Sequence, residues 1–234
     1  MVTILCAVLL AVGPASGQPA RKVACIGNSI TAGVGVEDPA TTSYPAELQR
    51  MLGAGWEVKN FGVSGRTLLR RGDYPYWNEP AFAQAKTFSP DLVIIKLGTN
   101  DSKPWNWKYS GEFTANLREL VASFRSLPSR PRIFLCTPVP AFPGDWGIND
   151  SVVREGVVPI VKQVARESRT TLVDLYRALA GKPDFFPDMV HPDEEGALAM
   201  AWEIYGVICT EYMLAKGPRP VLPVPSERQM TRQE

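Results

Sequence analysis

Val23-Ala24-Cys25-Ile26-Gly27-Asn28-Ser29-Ile30-Thr31 decides how this chain is read. Val23 to Ile26 is a short apolar run rich in strand formers. It lacks the alternation of a half-exposed strand, so both faces are expected to be covered. Gly27 can adopt a backbone shape that larger residues resist, and it leaves space beside the next side chain. Ser29 then stands at the carboxyl end of a buried strand, where open α/β sheets gather their ligands. A serine in that position is also ordinary turn chemistry, so its meaning depends on what the chain brings near it.

Downstream of this strand, the pattern alternates. Thr31 to Thr42 is rich in Gly, Pro and Thr and reads as a loop. Ser43 and Pro45 open a helix with Leu48, Met51 and Leu52 on one face. Glu57 to Phe61 reads as a strand, 62 to 72 as a loop, and 79 to 86 as a short helix. Leu92 to Leu97 is a buried strand ending at Gly98. A helix is expected over 110–127, from the spacing of Phe113, Leu117, Leu120, Val121 and Phe124. Arg132 to Cys136 is a strand closed by prolines, 151 to 168 a helix, Thr171 to Leu175 a strand, and 192 to 214 the last helix. Strand and helix alternate about five times, which argues for a parallel sheet between two helix layers, a three-layer α/β/α sandwich.

The chain has 234 residues, 45% hydrophobic and 21% charged, as in an ordinary globular protein. Its 25 basic and 24 acidic residues leave a net charge of +1, which gives no support for binding nucleic acid or a membrane surface. Residues 1–17 read as a signal peptide: Thr3 to Val12 is apolar, too short to span a bilayer, and Ala15-Ser16-Gly17 offers small residues for cleavage. A secreted or periplasmic destination is expected, without stable membrane insertion. Residues 18–215 then form one domain, and the proline-rich, polar stretch 216–234 reads as a disordered tail. Cys25 and Cys136 lie in apolar runs that suggest buried thiols; an oxidising compartment leaves a bridge between them open.

Four blocks carry chemistry. They are Ser29; Gly65 in Asn60-Phe61-Gly62-Val63-Ser64-Gly65; Gly98-Thr99-Asn100-Asp101; and Asp188-Met189-Val190-His191-Pro192. His191 is the only histidine, which removes zinc motifs that need two and leaves one natural base near neutral pH. Asp188, bracketed with it between Pro187 and Pro192, can reach the imidazole and fix its tautomer. Asp193 is better placed to cap the last helix. An activated serine needs donors for a developing oxyanion; the backbone N–H groups of Ser29 and Gly65 and the Asn100 amide supply them. Ser64 is a rival nucleophile, but no strand feeds into it. No Gly-x-Ser-x-Gly elbow and no P-loop occur.

In these blocks the chain resembles the SGNH hydrolases, the GDSL-like esterases. On that resemblance Ser29 matches the nucleophile, Gly65 and Asn100 the second and third oxyanion donors, and His191 the base, with Asp188 preceding it. Asn28 departs from the family name, which has Asp there, and Ile30 stands where it has Leu. The resemblance implies a flavodoxin-like sandwich and ester hydrolysis through an acyl-enzyme, with no cofactor and no metal. The chain also resembles, more loosely, GDSL-like esterases that deacetylate sugars such as sialic acid or xylan. Trp105, Trp107 and Tyr76 follow the Asn100 and Gly65 blocks and are candidates to stack on a sugar ring. The favoured expectation is a carbohydrate O-acetylesterase acting on a small-molecule or oligosaccharide ester. Alternatives are a short-chain lipase, lysophospholipase or thioesterase of the same mechanism, and a non-catalytic carbohydrate-binding module.

Overall fold

The computed structural model describes residues 19–144 and 146–216. The signal peptide expected over 1–17 and the tail from 217 onward lie outside the described residues. Five strands form one sheet: β1 (Arg21–Gly27), β2 (Trp56–Gly62), β3 (Leu92–Lys96), β4 (Arg132–Cys136) and β5 (Thr171–Val173). All pairings are parallel, in the order β2-β1-β3-β4-β5. The five helices of eight residues or more are α1 (Tyr44–Leu52), α2 (Pro80–Thr87), α3 (Phe113–Arg125), α4 (Val158–Glu167) and α5 (Glu194–Lys216).

Side-chain alternation along the strands sorts the core into two faces. Val23, Cys25, Leu92, Ile94, Phe134, Cys136 and Val173 pack on one side against Leu48 of α1 and Met200, Ala201, Ile204 and Ile208 of α5. Ala24, Ile26, Val93, Ile95, Ile133 and Leu135 pack on the other against Leu117, Leu120 and Phe124 of α3 and Val161 and Val164 of α4. Each fully buried aliphatic or aromatic side chain of this kind contributes roughly 1.5–3 kcal/mol. The covered strands explain their unbroken apolar runs.

Several boundaries differ from the sequence reading for local reasons. The stretch read as a loop after Ser29 holds two helical turns, Ser29–Ala32 and Pro39–Thr42. Asn28 and Asp38 start them by accepting backbone N–H groups of Ile30 and Ala40. Ser43 precedes α1 but makes no side-chain cap bond. The helix expected over 151–168 opens with an α-helical turn, Asp150–Val152, and passes through a wide turn, Val153–Val157, before α4. Pro159 lacks the N–H that would continue regular bonding through that turn. The last helix starts at Glu194, and Asp193 accepts from Gly196 N at 2.9 Å, which leaves Asp188 free of capping.

The strand order places a switch point between β1 and β3. The chain leaves β1 for β2 on one side, then crosses back to β3 on the other. Crevices open at the carboxyl ends of strands at such a point. Gly27 sits in register with Gly62 and Lys96 at that end. A Cβ at Gly27 would lie 1.9 Å from Thr31 Oγ1 and 2.8 Å from the Lys96 carbonyl oxygen. The first turn therefore folds back onto the strand end only because no side chain is there. Gly27→Ala is expected to lower folding stability by roughly 1–3 kcal/mol, read as a lower urea midpoint with an unchanged slope.

Candidate active site

Ser29 sits at the head of the turn that Gly27 permits. Asn28, in extended conformation, caps it, and Gly33 closes it with φ +96° while donating to the Ser29 carbonyl. The Ser29 N–H lies ahead of the turn's internal bonds, as the first N–H groups of any helical turn do. Its hydroxyl is 2.9 Å from His191 Nε2, although 162 residues separate the two. His191 Nδ1 is 2.6 Å from Asp188 Oδ2. The other carboxylate oxygen accepts the N–H groups of His191 at 2.7 Å and Val190 at 3.0 Å. Met189 completes this tight turn at φ +72°. Phe142, in the segment after β4, holds it by donating to the Met189 carbonyl. Partial burial would raise the Asp188 carboxyl. The His191 N–H, the imidazole and the Val190 N–H outweigh it and hold the group below its ordinary value. The serine and the histidine are both nearly enclosed, 6% and 5% exposed.

Across the crevice stand Gly65 and Asn100. They line one pocket with Ser29 and His191, together with Ser64, Thr99, Lys103, Trp146, Ile148 and Val190. Gly65 has φ +80°, a conformation that favours glycine. Asn100 Nδ2 donates one hydrogen to the Arg66 carbonyl at 3.1 Å, which fixes the amide and leaves its second hydrogen for a ligand. Asp101 anchors this side. It is fully buried and accepts from Leu68 N at 3.0 Å and Leu69 N at 2.7 Å. Burial pushes its carboxyl up to about 6 against those bonds. The Gly65 loop is thereby tied to the Asn100 block.

The aromatic candidates need correction. Tyr76 is 1% exposed and spends its hydroxyl on the Phe61 carbonyl at 2.7 Å, so it is a core residue that cannot meet a ligand. Trp107 packs on Phe113, ring centroids 5.7 Å apart, beneath the same core. Trp105 is exposed but lies outside the pocket lining. The ring that borders the site is Trp146. It stands edge-on to the imidazole at 5.2 Å and 89°, and its indole N–H donates to the Asp188 carbonyl at 3.2 Å. Its signal in the sequence is a lone tryptophan in a Gly- and Pro-rich segment after β4. Cys25 and Cys136 are free and buried. β3 separates their strands, about 10 Å at the usual strand spacing, beyond a disulfide's reach.

Residues 25–199 match the GDSL-like Lipase/Acylhydrolase family. The chain belongs to this family. An acetylxylan esterase from Xylanibacter ruminicola is 45% identical over 206 residues. That match takes in 80% of this chain but only 43% of the relative, so the chain spans less than half the length of that protein. A solved structure of a catalytic mutant of an acetylxylan esterase from Geobacillus stearothermophilus is 26% identical, with TM-score 0.62, covering 81% of this chain and 94% of that one. A carbohydrate acetylesterase from Sinorhizobium meliloti shares the fold at TM-score 0.68 and 19% identity, covering 82% and 99%.

The family's Asp is replaced here by Asn28, and the structure shows what the amide does. Asn28 Oδ1 accepts from Ile30 N at 3.2 Å and from Lys96 Nζ at 3.3 Å, two bonds a carboxylate would also accept. Its Nδ2 is buried without a partner among the described residues. Lys96 is fully buried and also meets Thr99 Oγ1 at 3.4 Å, so its amine joins the Ser29 turn to the Asn100 block. Burial pushes Lys96 down to about 7, opposed by the neighbouring Cys136 thiol. Its value in the fold lies below that of an unfolded lysine. The unfolded chain therefore holds more protons between about 7 and the ordinary lysine range, and the folded state gains stability as pH rises through that window. Relative to Lys96→Met, the wild-type chain should gain stability from pH 7 to pH 9 in chemical denaturation; parallel curves would mean the amine is not desolvated.

Proposed function

We propose that this chain is a serine esterase that removes small acyl groups, acetyl above all, from carbohydrate. The observation that carries this reading is the pocket at Ser29. Ser29 and His191, the latter bonded to Asp188, line a cavity of about 90 Å³ together with Gly65 and Asn100. Pockets that enclose a drug-sized ligand run to roughly 300–1,000 Å³, so this one suits a short acyl group. The 45% identity to an acetylxylan esterase supports the acetyl and carbohydrate parts.

The steps follow from the contacts. His191 Nε2 takes the proton of Ser29 as Oγ attacks the ester carbonyl carbon. Asp188 holds the imidazole in the tautomer that presents a lone pair to Ser29 and stabilises the cation formed. The oxyanion is received by the N–H groups of Ser29 and Gly65 and by Asn100 Nδ2, each donor typically worth about 2.7–4 kcal/mol of barrier. The C–O bond to the sugar breaks, and His191 returns the proton to the leaving hydroxyl. Water, activated by the same imidazole, attacks the acyl-Ser29 ester and releases the acid. Trp146 lies edge-on against the imidazole. Export, which residues 1–17 suggest, would place the enzyme where polysaccharide is met.

Ser29→Ala and His191→Ala should each lower kcat for p-nitrophenyl acetate by about 10³-fold or more, with the melting temperature nearly unchanged. Retained hydrolysis in Ser29→Ala would remove this serine from the mechanism. In a second measurement, acetylated xylo-oligosaccharides and p-nitrophenyl esters of two to twelve carbons are compared. The expected order is acetyl above all longer acyl groups; a preference for long chains would favour a lipase, lysophospholipase or thioesterase reading instead.

A further inference from the structure

The pocket at Ser29 has room for an acyl group but none for the sugar ring that carries it. On the far side of Ile148 lies a much larger trough of about 800 Å³. The two cavities share Ile148 as a common wall. The same two segments line both cavities: Lys103 and Trp146 line the pocket, while Pro104, Trp105, Gly147 and Asn149 line the trough. A second large hollow, about 670 Å³, lies between α1 and the end of β2 and shares no lining residue with the pocket. The trough, by contrast, adjoins the pocket through Ile148.

Its floor is prepared. Trp105 is 49% exposed, yet its ring is held in place. The indole N–H donates to Asp73 Oδ2 at 2.9 Å, and Asp73 is itself clamped by Asn106 through Oδ1 and its own N–H. Gly147, at φ +70°, lies against the other end of the ring, where a Cβ would come within 2.9 Å. A fixed, half-exposed indole offers an apolar face without the entropy cost of ordering it on binding. Polar groups line the same trough: Arg154, exposed and paired with Glu155 at 2.9 Å, and Tyr176, whose hydroxyl donates to Asp150 at 2.8 Å. An apolar platform in one trough with hydrogen-bonding groups matches a pyranose, which has C–H faces and a rim of hydroxyls.

We propose that the trough binds the sugar residues flanking the acylated one, so that the enzyme grips a polysaccharide or oligosaccharide backbone and deacylates within it. This rests on the carbohydrate-ester reading above and names the substrate as a chain rather than a single sugar. Neutral backbones suit it, since the ring and the hydroxyl partners carry the recognition.

The test compares Trp105→Ala and Ala180→Trp with wild type on three substrates: acetylated xylan, acetylated xylose and p-nitrophenyl acetate. Ala180 is an exposed residue of the trough lining outside the Trp105–Asp73–Asn106 bonds, and tryptophan there narrows the trough. Both variants should raise KM for acetylated xylan about tenfold or more, with kcat nearly unchanged. Both should hold kcat/KM for the two small esters within about twofold. Unacetylated xylohexaose should bind Ser29→Ala in calorimetry and lose that binding in Ser29→Ala/Trp105→Ala. An unchanged KM for xylan in either folded variant overturns the trough while leaving the esterase reading intact. Hydrolysis of p-nitrophenyl acetate by wild type with no action on any acetylated sugar overturns the carbohydrate reading itself.

Discussion

The hydrogen bond between Ser29 and His191 closes a loop of 162 residues, and most of the molecule's geometry serves to make that meeting possible. Two glycines set the clearance. Gly27 lets the first turn fold back on the end of β1. Gly35, at φ +106°, lets the following segment press on the back of the histidine, where a Cβ would come 2.5 Å from the Pro192 carbonyl oxygen and 2.9 Å from His191 Cβ. The same seam is clasped by the Glu37 N–H, which donates to Glu194 at the start of α5. Ser29 and His191 are therefore seated on two segments packed against each other, and neither side chain has to search for its partner.

The Gly65 side of the crevice is built by a different device, with its loop held from behind. Asp101 does this from beneath by binding two successive backbone N–H groups, and Asn100 and Asn106 add bonds to the Arg66 and Asn100 carbonyls. The cost is a fully buried carboxyl with its ionisation opposed. Lys96 bears a comparable cost on the neighbouring strand, where its amine meets only neutral groups, Asn28 and Thr99. Buried polar groups are expensive to leave unpaired, so each network enforces one arrangement of its loops.

The wall contributed after β4 divides the reacting centre from its surroundings. Trp146 covers the histidine and Ile148 separates a small pocket from a wide trough. The strand ends hold Ser29 and Asn100, while the long connection from β4 to α4 supplies Trp146 and Ile148 to the pocket lining. Such a division lets one scaffold keep its mechanism while its specificity changes.

Much of this was legible in the sequence. The apolar runs of 23–26 and 92–97 announce strands covered on both faces, and the alternation with helical periods announces a parallel sheet. The spacing of Asp188 and His191 permits a local contact, because three residues in a tight turn bring side chain to side chain. The blocks at Ser29, Gly65, Asn100 and His191 carry the family resemblance. What no local pattern encodes is burial across the fold. Tyr76 reads as an available ring but is buried in the core, Trp107 packs half-buried on Phe113, and Trp146, in the loop after β4, rests against the imidazole. The amino-acid order by itself determined which groups are present and which lie at strand ends. Only the tertiary structure decided which of them share a crevice, since contacts between residues far apart in the chain depend on strand order and packing rather than on neighbours in sequence.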